Sequence, residues 1–239
     1  MMKLNYIPGT NYKIYTDSEK FSFGIDAILL SDFAKTKKNS RVLEIGGGTG
    51  IISLRMNYLY SPKNIACVEI QKDNFEILSE NIKLNKLQDC INPINEDINN
   101  CYNLIKNDSL DVIVTNPPYY KLNHGIKNND MNQFISRYEV YLTLEDIFKF
   151  AKLKLKSNGI LYMINRPRRL VDILYYGRKY KMEPKKIVPV ISRKTEEPKM
   201  ILLKFVKNGR SDFVFEKPLI IYNDENEYTD RIKRIYYGQ

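Results

Sequence analysis

The feature that most restricts the fold is a glycine-rich loop between a short apolar strand and an apolar helix. The loop is EIGGGTG at residues 44–50, with a predicted strand at residues 41–43 before it and the helix directly after it. Because Gly46, Gly48 and Gly50 have no Cβ, a ligand can lie close against this backbone. A strand, a glycine loop and a helix in this order indicate an α/β fold that binds a ligand beside the loop.

The spacing of the glycines does not match two common phosphate-binding loops. The dinucleotide fingerprint G-x-G-x-x-G, counted from Gly46, requires glycine where the chain has Ile51. The Walker A loop requires Gly-Lys-Ser/Thr at its end, and no such sequence follows. A flexible linker is the alternative interpretation, but the apolar segments on both sides favour a structured loop.

Three acidic residues stand beside predicted strands. Glu44 precedes the glycines, Glu69 ends the run at residues 64–69, and Asp97 follows an apolar run at residues 91–94. In nucleotide-binding α/β folds, a ribose-binding carboxylate lies at the end of the second strand, which is the position of Glu69. Asp97 could accept a hydrogen bond from an adenine amino group.

A second loop has a different chemistry. Asn116-Pro117-Pro118-Tyr119 follows an apolar run at residues 110–115 that is typical of a buried strand. Proline fixes φ and has no N–H, so the Asn116 side-chain oxygen and the Pro117 carbonyl are rigidly placed acceptors. They could bind both hydrogens of a planar amino group while Tyr119 stacks on the ring that carries it. A plain strand-ending turn is the alternative for this segment alone.

The order of elements predicts one doubly wound domain. Helices are expected from Asp26 to about residue 34, from Asp73 as N-cap, from Thr143 and after Pro167. Strands are expected at residues 160–164, 187–192 and 201–206. Their alternation with helices predicts a mostly parallel sheet, with the last two strands as an antiparallel pair at its edge. If the strands before the two loops are neighbours, both loops face one crevice.

Together, the E-x-G-x-G-x-G loop, Glu69, Asp97 and Asn-Pro-Pro-Tyr resemble the S-adenosylmethionine-dependent amino methyltransferases. The more specific resemblance is to the bacterial tRNA1(Val) (adenine(37)-N(6))-methyltransferase family. Its other signatures appear as FSFGIDAILL at 21–30, RPRRL at 166–170, EPK at 183–185 and EYT at 227–229. The resemblance extends from about residue 20 to the end of the chain. Tyr138 and Asn165 stand where the family often has histidine.

This resemblance implies a Rossmann-like class I methyltransferase fold with a seven-stranded sheet, and S-adenosylmethionine as cofactor. It implies methylation of the exocyclic nitrogen of adenosine 37 in tRNA1(Val), by direct in-line transfer without a metal. The implied catalytic residues are Asn116, Pro117, Pro118 and Tyr119. The implied cofactor-binding residues are Phe23, Asp26, Glu44, Gly46, Gly48, Gly50, Glu69 and Asp97.

Two segments leave alternatives open. Residues 21–26 could close over the methionine end of the cofactor, or Phe21 and Phe23 could pack in the core with Asp26 as a helix N-cap. The polar segment 121–133 is long enough for a lid over the active site, or it is disordered surface. His124 lies in that segment, and we assign it no catalytic role.

The net charge of +10 is concentrated in the second half of the chain, since residues 1–119 have nearly equal numbers of acidic and basic side chains. Between residues 166 and 194, basic side chains mix with Tyr175, Tyr176 and Tyr180, a combination suited to phosphates and unstacked bases. A solvated helix face is the alternative, and we favour it for the lysines at 149–156. The candidate RNA-binding residues are Arg137, Arg166, Arg168, Arg169, Lys185 and Lys186.

Length and composition narrow the class of protein. The 239 residues fit one domain. We divide it into an N-terminal extension and helix (1–38), a cofactor and catalytic core (39–165) and a basic, RNA-facing part (166–239). No run approaches the roughly 18 apolar residues of a membrane span, and no apolar signal core is visible. Three cysteines and one histidine provide no zinc constellation. We expect a monomeric, cytoplasmic tRNA-binding enzyme.

Other functions remain open at this point. An N(6)-adenine methyltransferase of ribosomal RNA would use the same motifs. Protein-glutamine methyltransferases of release factors share Asn-Pro-Pro-Tyr but have an extra helical domain before the glycine loop, whereas only 45 residues precede Gly46. A DNA adenine methyltransferase would need a target-recognition insertion. A non-catalytic RNA-binding protein with the same fold is the remaining alternative.

Overall fold

The structure is a computed structural model that describes residues 2–17, 24–119 and 142–238. Several sequence predictions therefore concern residues outside the described part of the chain. They are the cofactor role of Phe23, the choice between closure and core packing for Phe21 and Phe23, the RNA contact of Arg137, the substitution at Tyr138, and the assignments for His124 and segment 121–133.

One sheet forms the centre of the molecule and contains nine strands among the described residues. The strands are β3 Arg41–Ile45, β4 Asn64–Glu69, β5 Ile91–Asn95, β6 Leu110–Thr115, β7 Leu155–Asn165, β8 Met182–Ile191, β9 Met200–Lys207, β10 Val214–Phe215 and β11 Leu219–Ile220. Their spatial order is β10-β8-β9-β7-β6-β3-β4-β5, with β11 also paired to β8. Neighbours from β5 through β7 are parallel, whereas β9 runs antiparallel to both β7 and β8. The predicted mostly parallel sheet with an antiparallel edge is confirmed.

Helices cover both faces of this sheet, and they divide the apolar interior into two clusters. Side chains of α1 Ile25–Phe33, α2 Ile51–Tyr60, α3 Lys72–Leu84 and α6 Asp230–Tyr237 pack into one cluster. Those of α4 Leu144–Lys154 and α5 Leu170–Lys179 pack into the other. The α/β/α layering buries apolar residues on both sides of the parallel strands, as such sheets require.

Several predicted boundaries differ from the observed ones, among them the start of β8, which begins at Met182 rather than at residue 187. Helix α1 has Gly24 as N-cap, so Asp26 lies in its first turn, and α3 has Gln71 rather than Asp73 as N-cap. Strand β7 begins at Leu155, five residues before the predicted start at residue 160. It pairs with β6 at Leu155 and again from Ile160 onward, and the residues between these two segments form a bulge. By contrast, Thr143 caps α4 in a capping box with Asp146, as its sequence indicates.

A two-stranded hairpin, β1 Met2–Tyr6 and β2 Lys13–Asp17, lies against α3. Asn81 of α3 and its C-cap residue Asn85 attach the hairpin, because their side-chain oxygens accept from the backbone N–H groups of Tyr15 and Lys13 at 2.6 and 2.9 Å. Asn81 also donates to Thr49 O at 2.9 Å, so the same side chain fixes the glycine loop. The hairpin therefore supports the edge of the sheet that carries the glycine loop.

Candidate active site

The two loops singled out in the sequence meet because their strands are neighbours. At the ends of three parallel strands, Ile45 of β3 is in register with Val68 of β4 and with Thr115 of β6. The Thr115 hydroxyl donates to Ile45 O at 3.0 Å and ties the two strand ends together. The glycine loop after β3 and the Asn-Pro-Pro-Tyr loop after β6 therefore open on one crevice at the carboxyl edge of the sheet.

The glycine loop leaves open space where side chains would otherwise stand. Gly46 and Gly48 have φ of +76° and +53°, and a Cβ built on either one would meet no atom within 4 Å. A Cβ at Gly50 would instead lie 2.6 Å from the Leu78 side chain. Gly50 therefore serves close packing of the loop on α3, whereas Gly46 and Gly48 leave room for a ligand against the backbone.

Glu69 lies beside this open space at the end of β4. One carboxylate oxygen accepts from Gly48 N at 2.7 Å, and the other accepts from Gln71 N at 2.8 Å. The side chain is buried, and loss of solvation raises the pKa of Glu69 despite these hydrogen bonds. Its position fits a carboxylate that accepts hydrogen bonds from the hydroxyls of a ligand lying on Gly46 and Gly48.

The prediction that Glu44 contacts the cofactor does not fit its position. Glu44 is only 1% exposed and lies beneath the loop, leaving no surface for a ligand. One of its oxygens accepts from Ser53 N at 3.0 Å, from the Ser53 hydroxyl and from the Cys67 thiol at 3.5 Å. Glu44 therefore holds the start of α2 against β3 and β4, and it shapes the loop from within.

The burial of Glu44 has a measurable consequence for stability. Loss of solvation raises the pKa of Glu44 to about 8, so the folded chain keeps a proton that the unfolded chain releases above its ordinary pKa. The contribution of this proton to stability is therefore lost as pH rises toward 8. We expect Glu44→Gln, which cannot ionise, to flatten this decline by up to about 1.4 kcal/mol per pH unit.

Thermal unfolding of the wild type and of Glu44→Gln across this pH range measures the difference. Glutamine retains an oxygen that can accept from Ser53, so the variant is expected to fold. Parallel stability curves for the two proteins would contradict the raised pKa.

Asp97 follows β5 at the same edge of the sheet. Its carboxylate caps the 3-10 turn Ile98–Asn100 by accepting from Asn99 N at 2.8 Å. The side chain is partly exposed, so it can also accept from a ligand. The predicted contact with an adenine amino group remains a prediction.

The Asn-Pro-Pro-Tyr loop is joined to α1 by a compact hydrogen-bond network. The Asn116 amide nitrogen donates to the Asp26 carboxylate at 3.1 Å. The Tyr119 hydroxyl lies 2.6 Å from the same carboxylate oxygen and 2.7 Å from the Asn116 side-chain oxygen. Burial and the nearby Asp26 charge raise the pKa of Tyr119, so its hydroxyl stays protonated. Asp26 therefore contacts the Asn-Pro-Pro-Tyr loop directly.

The predicted RNA-binding residues occupy different environments. The Arg166 guanidinium lies over the Tyr119 ring at 4.9 Å from its centroid and donates to Lys199 O at 3.0 Å. Arg169 is 5% exposed and paired with Asp172 at 3.2 Å, so its burial does not support direct contact with phosphate. Arg168, in contrast, is exposed.

Lys185 and Lys186 form surface ion pairs with Asp212 and Glu216. Such pairs are weak and can exchange partners. A phosphate contact by either lysine stays a prediction. Among the tyrosines of the basic segment, Tyr175 is 62% exposed, whereas Tyr180 donates to Glu145 at 2.7 Å.

Sequence reasoning did not single out Asn81 or Ser53. Asn81 lies on the same face of α3 as Leu78 and Ile82, and a polar residue on an apolar helical face is a signal that could have revealed it. Ser53 carries no such signal, because its role depends on a buried Glu44.

Within residues 2–17, 24–119 and 142–238, no group of three or more His, Cys, Asp or Glu side chains is arranged to hold a metal ion. Likewise, none of the helices in this part of the chain is long and apolar enough to cross a membrane.

Comparison with known proteins agrees with the geometry of this edge. The model of the family described as "Methyltransferase small domain" matches residues 11–174. A tRNA1(Val) (adenine(37)-N6)-methyltransferase of Flavobacterium johnsoniae is 28% identical, covering 94% of this chain and 96% of the relative. A protein of the same name from Bacteroides thetaiotaomicron is 25% identical over 94% of this chain and 92% of its own length.

Solved structures share the fold. A protein from Agrobacterium tumefaciens described as a predicted O-methyltransferase superposes with a TM-score of 0.70 at 18% identity, covering 88% of this chain and 95% of its own. The tRNA m1G37 methyltransferase of Methanocaldococcus jannaschii superposes with a TM-score of 0.61 at 17% identity, covering 87% of this chain and 55% of its own. Proteins described as methyltransferases therefore share this fold.

Proposed function

The chain belongs to the methyltransferase small domain family, and from this premise we propose that it methylates adenosine 37 of a valine tRNA. The methyl group would pass from S-adenosylmethionine to the exocyclic amino nitrogen of the base. The relatives that carry this activity in their names align with this chain over nearly its whole length. The proposed enzyme acts in the cytoplasm, as a monomer.

One observation carries the proposal: the open glycine cradle and the two acceptors of Asn-Pro-Pro-Tyr lie on adjacent strand ends. Gly46 and Gly48 follow β3, whereas Asn116 and Pro117 follow β6, and the two strands pair in register. A methyl donor on the cradle and an amine at the acceptors would therefore face each other directly. Positioning of this kind can supply a large part of a rate enhancement.

S-adenosylmethionine, when bound, supplies an activated methyl group, and Gly46, Gly48 and Glu69 would hold it. The residues of the second loop prepare the acceptor nitrogen. The lone pair of this amino nitrogen is delocalised into the adenine ring. Two hydrogen-bond acceptors, the Asn116 side-chain oxygen and the Pro117 carbonyl, favour the pyramidal form of the nitrogen. They also stabilise the positive charge that develops on nitrogen during transfer.

Tyr119 provides the surface for the base. Arg166 covers one face of the Tyr119 ring, so an adenine that stacks there uses the opposite face. Stacking on an aromatic side chain contributes roughly 1–3 kcal/mol per base. An anticodon-loop base is unpaired, so moving it into a pocket costs less than extracting a base from a duplex.

A direct assay tests the function. Purified protein, S-adenosylmethionine and a tRNA1(Val) transcript should yield N(6)-methyladenosine, identified by mass spectrometry of the digested RNA. A transcript with guanosine at position 37 should remain unmodified. Methylation of both transcripts, or of neither, would contradict the proposed substrate, and ribosomal RNA would then be tested as the second adenine-containing substrate.

The exposed basic face of α5 gives a prediction about tRNA binding. Arg168 and Arg178 are both exposed on or just before this helix. Arg178 pairs with Glu183 at 2.8 Å. We expect the double variant Arg168→Ala/Arg178→Ala to weaken tRNA binding and to lower the slope of log K against log salt by about 1 per lost phosphate contact.

Lys72→Ala/Lys83→Ala is the matched control, because α3 lies on the opposite face of the sheet and both lysines are exposed. The control removes the same charge but should leave the salt dependence near that of the wild type. Equal slopes for all three proteins would remove α5 from the RNA interface.

A further inference from the structure

The hydrogen-bond network between α1 and the Asn-Pro-Pro-Tyr loop contains a competition for one proton. Tyr119 has a single hydroxyl hydrogen, yet its oxygen lies within hydrogen-bond distance of two acceptors. These are the Asp26 carboxylate at 2.6 Å and the Asn116 side-chain oxygen at 2.7 Å. Only one of them can receive the hydrogen at a time.

The charge of the carboxylate decides this competition. Hydrogen bonds to an ionised acceptor are shorter and roughly twice as strong as neutral ones, so the Tyr119 hydroxyl donates to Asp26. The Asn116 oxygen then keeps its accepting capacity. Without Asp26, the same hydroxyl would turn to Asn116 and occupy the acceptor that the substrate amine needs.

Asp26 also fixes which way the Asn116 amide faces. An ionised carboxylate accepts hydrogen bonds but cannot donate them, so the group facing it at 3.1 Å is the Asn116 amide nitrogen. The side-chain oxygen is consequently held on the other side of the amide. The Asp26 carboxylate is itself anchored, since its second oxygen accepts from Ala27 N at 3.0 Å in the first turn of α1.

We propose that Asp26 is a positioning residue for methyl transfer. Its carboxylate accepts hydrogen bonds from the Tyr119 hydroxyl and the Asn116 amide nitrogen, and this leaves the Asn116 oxygen free to accept from the substrate amine. This role rests on the proposed adenine methylation. It differs from the cofactor contact that the sequence indicates for Asp26, because both hydrogen bonds lead to the amine-binding loop. Asp26 thereby links α1 to the acceptor side of the site.

The test uses the variants Asp26→Ala, Tyr119→Phe and the double variant, with kcat, KM and affinity for S-adenosylhomocysteine measured for each. Asp26→Ala should lower kcat about 10- to 100-fold, as expected for lost hydrogen bonds to a charged group, while cofactor affinity changes less than about threefold. Tyr119→Phe alone should cost less, about 2- to 10-fold. The double variant should be faster than Asp26→Ala, because the competing hydroxyl is gone.

This partial rescue separates positioning from a merely structural role, since a second substitution in a destabilised site would lower the rate further. A double variant slower than Asp26→Ala would overturn the proposal. So would a loss confined to cofactor affinity, which would return Asp26 to the cofactor side. Asp89→Ala, at an exposed aspartate outside the site, controls for the change in charge.

A readout independent of activity covers the remaining outcomes. The Asn116 side-chain amide signals in a ¹⁵N-correlated NMR spectrum can be assigned by their loss in Asn116→Ala. They should shift and exchange faster with solvent when Asp26 is replaced, and unchanged signals would overturn the proposed contact. If Asp26→Ala does not fold, Asp26→Asn replaces it in both measurements. If the wild type does not methylate tRNA, the proposed function fails, while this measurement still decides whether Asp26 holds the Asn116 amide.

Discussion

Asn116→Ala should lower kcat for methyl transfer by at least about 100-fold while leaving affinity for S-adenosylhomocysteine within about threefold of the wild type. The substitution removes the side-chain oxygen that would accept from the amine, and losing one preorganised group of this kind costs about 10²- to 10³-fold. It also removes the hydrogen bond from the Asn116 amide to Asp26 and the Asn116 oxygen that lies beside the Tyr119 hydroxyl. The glycine cradle belongs to a different strand end and is unchanged.

Calorimetry with S-adenosylhomocysteine and a single-turnover assay on tRNA separate the two effects. Asn103→Ala, at an exposed asparagine after the turn Ile98–Asn100, is the matched control and should retain wild-type turnover. Wild-type turnover by Asn116→Ala would remove the amine-binding role from this loop. A parallel loss of cofactor affinity would place Asn116 on the cofactor side.

Glu69→Ala should have the opposite profile, with cofactor affinity reduced about 10- to 100-fold and kcat nearly restored at saturating S-adenosylmethionine. The carboxylate is the acceptor placed beside Gly46 and Gly48, and hydrogen bonds to a charged group contribute about 1.5–3 kcal/mol. Its removal also leaves Gly48 N and Gln71 N without their acceptor. Both changes weaken the binding of ligand more than the chemistry on the neighbouring loop.

Glu69→Gln keeps one accepting oxygen and should bind S-adenosylhomocysteine with intermediate affinity. The ratio of the two variants then measures how much of the interaction depends on charge. If Glu69→Ala binds S-adenosylhomocysteine as tightly as the wild type, Glu69 serves only to hold the loop, and the ribose of the ligand must be bound elsewhere.

The sequence by itself determined most helices and strands of the central α/β core and the residue types that each loop presents, but it did not indicate the hairpin of β1 and β2 or helix α6. Proline and glycine act through their own backbones, so the acceptors at Asn116 and Pro117 and the open positions at Gly46 and Gly48 follow from local sequence. The alternation of apolar strands with helices likewise predicts a parallel sheet, since each helix must return the chain to the same edge. The capping box at Thr143 is local in the same sense.

Only the tertiary structure decided which of these groups meet and which are buried. Asp26 and Asn116 are 90 residues apart, and they touch because the first turn of α1 lies beside the loop that follows β6. Glu44 and Arg169 have charged side chains that sequence reasoning assigned to ligands, yet packing encloses both. Burial and long-range hydrogen bonds depend on where distant elements lie, and no spacing along the chain encodes that directly. The contact between the Tyr119 hydroxyl and Asp26 therefore became visible only in the tertiary structure.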